Sequence, residues 1–506
     1  MLNSFSIYTS ENRGRVLLLF LLFFLAIYEF YSQGFGAFAI VCLIPLFIIL
    51  TIFSFKYRMF LFWTLFIFNY FVQMQDFPSL PGPKSLPNEV LEILLLMVAL
   101  IDIKNNYFKR TGNLMLLALV IWGGFCTLEI LNDTCGLGIN PGAWYTGARL
   151  LAFQLIYIFL IFCIYISNPK ILIQYLYVWA ALALFAVFWA WKQQNIGLTN
   201  NEFGWLYYGP GSVTHLLQAG TLIRYWSIYS DAANYGIAMA STGVAFVIFG
   251  ITSKIKKHRY FFLITGAFCI WGMFPSGTRT AMPCVMFGFI LYIFLSKSFK
   301  IAIPFTILAA IAAFLLVFTT IGNGNQQIRR MRSAFDKKDA SANVRDINQQ
   351  TMRKYMREAP WGIGVGMGME NVPANNKYRL MAIIAPDSEY IFIWLRTGVI
   401  GITIFLITTA IILLGACRIV LFSLKNPSLR GIGAGLCCAF ASQQLGGYGN
   451  QVLMQFPNGL VFYGAISVVY ILPYLEKEWI EYESNLLAKQ EERKRLKLEK
   501  KLASRV

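Results

Sequence analysis

The chain has 506 residues, of which 57% are hydrophobic, 16% aromatic and only 13% charged, with a formal net charge of +19. That balance excludes an ordinary soluble domain and describes a polytopic membrane protein. Most basic residues stand in short clusters between apolar runs, the orienting pattern of membrane proteins, so the positive charge is no argument for a nucleic-acid partner.

In chain order, fourteen apolar segments read as spans: approximately 16–31, 35–53, 59–74, 89–103, 113–131, 149–167, 171–191, 232–251, 260–275, 280–296, 300–320, 389–417, 431–446 and 457–474. A bilayer core of roughly 30 Å needs about 17–25 such residues. The first run, from Val16, follows Arg13 and Arg15 and leads into Tyr28-Glu29-Phe30-Tyr31 without a small-residue cleavage site, so it reads as an uncleaved span. The predicted class is an all-α polytopic membrane protein of about 12–14 transmembrane helices. Basic clusters fall in every second loop: Arg13/Arg15, Lys56/Arg58, Lys104/Lys109/Arg110, Lys170, Lys254/Lys256/Lys257/Arg259, Lys297/Lys300 and Arg418/Lys425/Arg430. They predict one shared cytoplasmic side, with both termini there.

The opposite side then holds Gln75–Asn88, Asn132–Ala148, Lys192–Ser230, the Ser276–Arg279 turn, the long segment Ile321–Ser388 and Gly447–Phe456. The long segment has eleven Lys/Arg against six acids. Two short amphipathic helices are expected in it. One has Ile328, Met331 and Phe335 on a face; the other starts near Asn343, with Val344, Ile347 and Tyr355 as its stripe, and stops at Pro360. The predicted organisation is a bundle of about eleven spans over 1–320, the external loop 321–388, further spans over 389–474 and a charged helical tail over 475–506. That tail is expected to lie on or near the inner leaflet, or to stand as a solvated helix without a partner.

Nine cysteines, most of them inside apolar runs, make no disulfide framework. The two histidines, His215 and His258, exclude a histidine-rich metal site and leave a carboxylate-bound Mg²⁺ open. Arginine at the bilayer boundary is a stronger signal, since a charged side chain near the membrane needs a reason to be there. Arg224 precedes Asp231 and Asn234 where the chain re-enters the membrane, and all three are candidate ligand residues. Asp231 and Asn234 are equally ordinary helix-start residues. Arg279 follows Ser276-Gly277-Thr278, where backbone N–H groups at a helix start, beside a guanidinium, suit a phosphate. Gly362-Ile363-Gly364-Val365-Gly366-Met367-Gly368 lacks the strand and βαβ context of a nucleotide fingerprint and reads as a flexible turn returning the loop to the membrane.

Several of these stretches occur in a fixed order: Arg224 and Ser230-Asp231-Ala232-Ala233-Asn234-Tyr235-Gly236, then Ser276-Gly277-Thr278-Arg279, Ser341 with Val344-Arg345, Pro360-Trp361-Gly362-Ile363-Gly364-Val365-Gly366, and Gly398-Val399-Ile400-Gly401. In this order they resemble the bacterial O-antigen ligase and O-antigen polymerase superfamily. The resemblance implies transfer of a glycan from an undecaprenyl-diphosphate donor to an acceptor hydroxyl, on the periplasmic face of the inner membrane and without a nucleotide sugar. The acceptor would be another glycan or lipid A–core, among membrane lipids. Outward-facing arginines of that family bind the donor diphosphate, which matches Arg224, Arg279 and Arg345. Its ligases carry a His-Asn pair where the loop meets the next span; here Asp387-Ser388 stands there, followed by Glu389. Asp387 is therefore the expected base, with Glu389 and Asp231 as further catalytic candidates. No cofactor is expected, and the reaction is expected to be metal-independent. The alternative is a flippase for lipid-linked oligosaccharide or another polysaccharide transporter.

Overall fold

In a computed structural model of the chain, the structure describes residues 56–76, 84–101, 107–217, 222–297, 299–320 and 340–503, with isolated positions between 14 and 52 and between 324 and 332. The expected spans 16–31 and 35–53, and the Ile328–Met331–Phe335 stripe, lie outside the described residues.

The remaining apolar runs all form helices. They are α1 (Arg58–Phe71), α2 (Leu86–Ile101), α3 (Leu114–Leu128), α4 (Pro141–Tyr165), α5 (Pro169–Asn195), α7 (Ala232–Thr252), α8 (Lys256–Gly272), α9 (Ala281–Ser296), α10 (Phe299–Phe318), α12 (Glu389–Arg418), α13 (Pro427–Gly449) and α14 (Asn458–Ala503); α6 (Asn200–Tyr208) and α11 (Ala340–Met356) lie in the long loops. Among the described residues six helices are long and apolar enough to cross a membrane. The protein is an all-α, multi-pass membrane protein.

Helix starts follow local chemistry. Asn140, Asn168 and Asn426 each precede a proline, and each side chain accepts an N–H from the first turn that follows. An extended Asn satisfies an orphan donor, and Pro at the next position has no N–H to lose. Such a cap makes α4 begin at Pro141, eight residues before the expected span. Thr199 and Glu202 form a reciprocal capping box at α6.

α7 is buried around almost its whole circumference, packed between α8, α9 and α13. A helix apolar on every face belongs at the centre of a bundle. Three further departures matter. α12 is not one regular span: Gly398, at φ +67° and ψ −169°, breaks it. α14 runs without interruption through Pro473, so the tail is an extension of the last span. It has partners: Glu476 accepts the N–H of Lys425 and Asn426, Glu483 pairs with Lys254 at 3.2 Å, and Gln490 accepts the N–H of Lys256. In α11 the expected stripe holds only at Tyr355, which packs half-buried against a small core of the external loop; Ile347 is 62% exposed, the Val344 side chain lies outside the described residues, and Met352 and Met356 are buried in that core with Ile363, Met367 and Leu395.

The alternation of loops survives in three dimensions. Arg110 donates to Ser167 O, and α14 ties the 254–256 and 425–426 loops, so basic loops meet basic loops. At the other end Thr199 donates to Asp76, Asn132 to Trp361 O, Asn376 to Cys135 O, and Asn69 to Pro457 O.

Candidate functional site

The Ser276–Thr278 turn is built around Gly277, which sits at φ +56°, in the left-handed region that favours glycine. Ser276 Oγ donates to Met273 O at 2.6 Å, and Thr278 Oγ1 donates to Ala232 O at 3.0 Å. The turn therefore docks on the first turn of α7. That approach requires Gly236, because a Cβ there would stand 2.2 Å from Ser276 Oγ.

Two guanidinium groups grip this turn. Arg224 donates from Nε to Ser276 O at 3.2 Å, and from its terminal nitrogens to Thr278 Oγ1 and Thr214 O at 3.4 Å. Arg330 donates from Nε to Gly277 O at 3.2 Å. Arg279 follows directly in the chain. The structure thus brings the guanidinium groups of Arg224 and Arg330 to three residues of backbone, directly before Arg279. Behind them lies His215, only 1% exposed, between the rings of Trp205 and Trp226. Its Nε2 accepts the Ala232 N–H at 3.0 Å, so in this tautomer Nδ1 carries the proton and donates to Thr214 Oγ1 at 2.7 Å. Burial, then the charges of Arg224 and Arg330, pull its pKa down to about 3. A neutral imidazole caps α7.

The acidic candidates separate. Asp231 is the N-cap of α7, accepting the N–H of Ala233 at 2.7 Å and Asn234 at 2.9 Å. Asn234 is fully buried; its amide donates to Ser230 Oγ and Phe456 O and accepts from Asn458. Glu389 is 3% exposed and accepts the Leu453 N–H at 3.0 Å, with Val452 and Met454 N–H also directed at it. It anchors the loop before α14. Asp387 differs from all of these. It is exposed, and holds φ at +52°, uncommon for a residue with a Cβ. The N-cap of α12 is Ser388, not Asp387. Arg345 lies on α11, but its side chain is outside what the structure describes.

Asp387 and the arginine turn flank the same helix end. Ser388 Oγ donates to Gly447 O at 3.2 Å, while Asn450 Nδ2 donates to Thr280 Oγ1 at 3.0 Å. The last turn of α13 therefore stands between Arg279–Thr280 and Asp387–Ser388. The glycine run is not a free turn. Ile363 and Gly364 N–H bond to Leu395 O and Arg396 O, and a Cβ on Gly398 would stand 1.9 Å from Pro360 O. The run is a wedge packed against the break in α12.

Two residues were missed by sequence reasoning. Arg330 sits in a charge-dense loop with nothing to mark it. Arg396, alone inside an apolar run, carried a readable signal; its guanidinium stands 5.3 Å from the Phe392 ring.

These features define a multi-pass membrane protein with a basic site at the helix ends opposite the lysine-rich loops. Residues 264–406 match the family model for O-antigen ligase, in keeping with the motif order. The match takes in Arg279, Arg330, Arg345, Asp387 and Glu389, while Arg224 and Asp231 precede it. No curated protein matches the chain.

Proposed function

We propose that the protein transfers a glycan from an undecaprenyl-diphosphate-linked donor to an acceptor hydroxyl at the outer face of the inner membrane. The observation that carries this reading is the convergence of the Arg224 and Arg330 guanidinium groups on the Ser276–Thr278 turn, with Arg279 next in the chain and the junction at Asp387 across the end of α13. The acceptor oxygen attacks the anomeric carbon, the bond from that carbon to the diphosphate breaks, and the lipid diphosphate departs with the bonding pair. Charge-assisted contacts of about 1.5–3 kcal/mol each stabilise that charge. Asp387 takes the hydroxyl proton. Asp231, Asn234 and Glu389 hold the surrounding backbone rather than touching the reacting atoms. The arginines supply the neutralising charge, so transfer proceeds without a divalent metal.

The test is a deletion strain, read by its lipid-linked and lipopolysaccharide-linked glycans. Full chains accumulating on undecaprenyl diphosphate identify a ligase using lipid A–core. Single repeats retained on the lipid, with long chains lost, identify a polymerase. Unchanged profiles of both kinds would sink the proposal. Transfer by purified protein in EDTA separates the metal-independent route from a metal-assisted one.

A further inference from the structure

The end of the bundle opposite the arginine turn contains a cavity of about 280 Å³. Small-molecule sites run from roughly 300 to 1,000 Å³, so this space suits a compact headgroup. It lies where α1 begins, where α2 and α4 end, and where α5 begins. Its lining divides in two: Arg58, Ser167 and Asn168 are polar, while Val98, Ile164 and Ile171 are apolar. Arg110 donates to Ser167 O at 3.1 Å, which holds a second guanidinium at the polar wall. Asn168 caps α5 by accepting the Ile171 N–H at 3.0 Å, fixing that helix start beside the cavity. Two helices begin and two end here, so their dipoles offset one another and the positive charge of the site is that of the arginines. Next to the lining residues in the chain, Phe60, Leu100 and Ile101 are 59%, 58% and 63% exposed, an apolar flank suited to lipid tails.

We propose that this cavity binds the phosphate headgroup of an anionic phospholipid. Arg58 meets the phosphate, the glycerol and first methylenes occupy the apolar part, and the acyl chains run along Phe60, Leu100 and Ile101. Basic pockets between transmembrane helices commonly hold such headgroups on the cytoplasmic side, which is where the basic-loop pattern puts this end. A free phosphate would satisfy the charge but leave the apolar part empty.

The test uses the full chain in a neutral detergent. Short-chain phosphatidylglycerol, phosphatidylcholine of the same chain length, and glycerol phosphate are each titrated, with bound adducts counted by native mass spectrometry and the melting temperature followed in parallel. Phosphatidylglycerol is expected to bind and raise the melting temperature; the other two are expected to do neither. Arg58→Ala should weaken phosphatidylglycerol binding about tenfold or more, and Arg58→Lys should retain most of it. Ala99→Phe, which fills the cavity without changing charge, should also block it and carries the test where Arg58→Ala does not fold. Equal binding of phosphatidylcholine overturns the charge argument. Equal binding of glycerol phosphate overturns the lipid assignment. Phosphatidylglycerol binding unchanged in Ala99→Phe overturns the site.

Discussion

A guanidinium presents five N–H donors in a planar fork, and Arg224 directs Nε and both terminal nitrogens to oxygens of Thr214, Ser276 and Thr278. Lysine cannot reproduce that spread. Arg224→Ala is expected to weaken donor binding by about ten- to a hundredfold, as a charge-assisted contact of about 1.5–3 kcal/mol implies, and Arg224→Lys to recover only part of it. Donor affinity measured on folded protein decides this, and normal affinity in the Ala variant removes Arg224 from the site. Asp387→Asn keeps the backbone, because Asn tolerates positive φ about as well as Asp, and it leaves the start of α12 untouched, since Ser388 is the N-cap there. Turnover should fall by about 10²–10⁴-fold with expression unchanged; near-normal turnover would discard Asp387 as the base. His215 gives a pH signature. Its folded pKa of about 3 lies below the ordinary value of 6.5, so between those values the unfolded chain binds a proton that the folded chain does not. Stability is then complete above about pH 6.5 and declines as pH falls towards 3. Melting curves from pH 7.5 to 5 should show a smaller loss in His215→Gln, whose amide oxygen can still accept the Ala232 N–H. Parallel losses in the two proteins would contradict the assignment.

At the scale of elements, the glycine run and the break in α12 are one device. Gly398 occupies a backbone region open in practice only to glycine, which costs other residues of order 1–3 kcal/mol. A Cβ there would also collide with Pro360 O. Gly398→Ala is therefore expected to free the 360–366 wedge. Amide exchange across 360–366 should rise, and transfer should fall, while the distant α7–α8 contact keeps its protection. Unchanged exchange in the wedge would show that the break does not depend on this glycine. The loop before α14 plays a comparable part for several helices. Asn69 of α1, Asn234 of α7 and Glu389 of α12 all bond to its backbone between Leu453 and Pro457. Buried polar groups spent this way set the positions of helix ends rather than perform chemistry.

For the whole molecule, the basic loops gather at one end and the arginine turn at the other, an arrangement consistent with a cytoplasmic and an outer face. Cysteine introduced at Ser341 should react with an impermeant thiol reagent in intact cells, above the background of the native chain. Cysteine at Ser253 should react only after permeabilisation. The reverse pattern would turn the protein over and move the proposed site to the cytoplasm. The continuous α14 adds a constraint on the lysine-rich end, because Glu476, Glu483 and Gln490 hold the two neighbouring loops against one helix.

Apolar length and basic clusters are local signals that need no partner, and they were enough to locate the apolar helices, although not the start of α4, set by its Asn140-Pro141 cap, nor the short α6. Arg224 and Arg279 were marked as charged residues standing at the ends of apolar runs, and Asp387 by the place it holds in the family resemblance. What surrounds each of them depends on packing. Asp231 and Asn234 stood beside Arg224 as ligand candidates, yet packing assigned them to a cap and to a buried amide network. Arg330 joined the arginine turn across more than fifty residues of chain, a separation over which no spacing rule operates. The α11 stripe was legible only in part, with Tyr355 against the small core and Ile347 facing out. Helical periodicity identifies a set of apolar faces, and the small core of the external loop chose the one bearing Met352 and Met356.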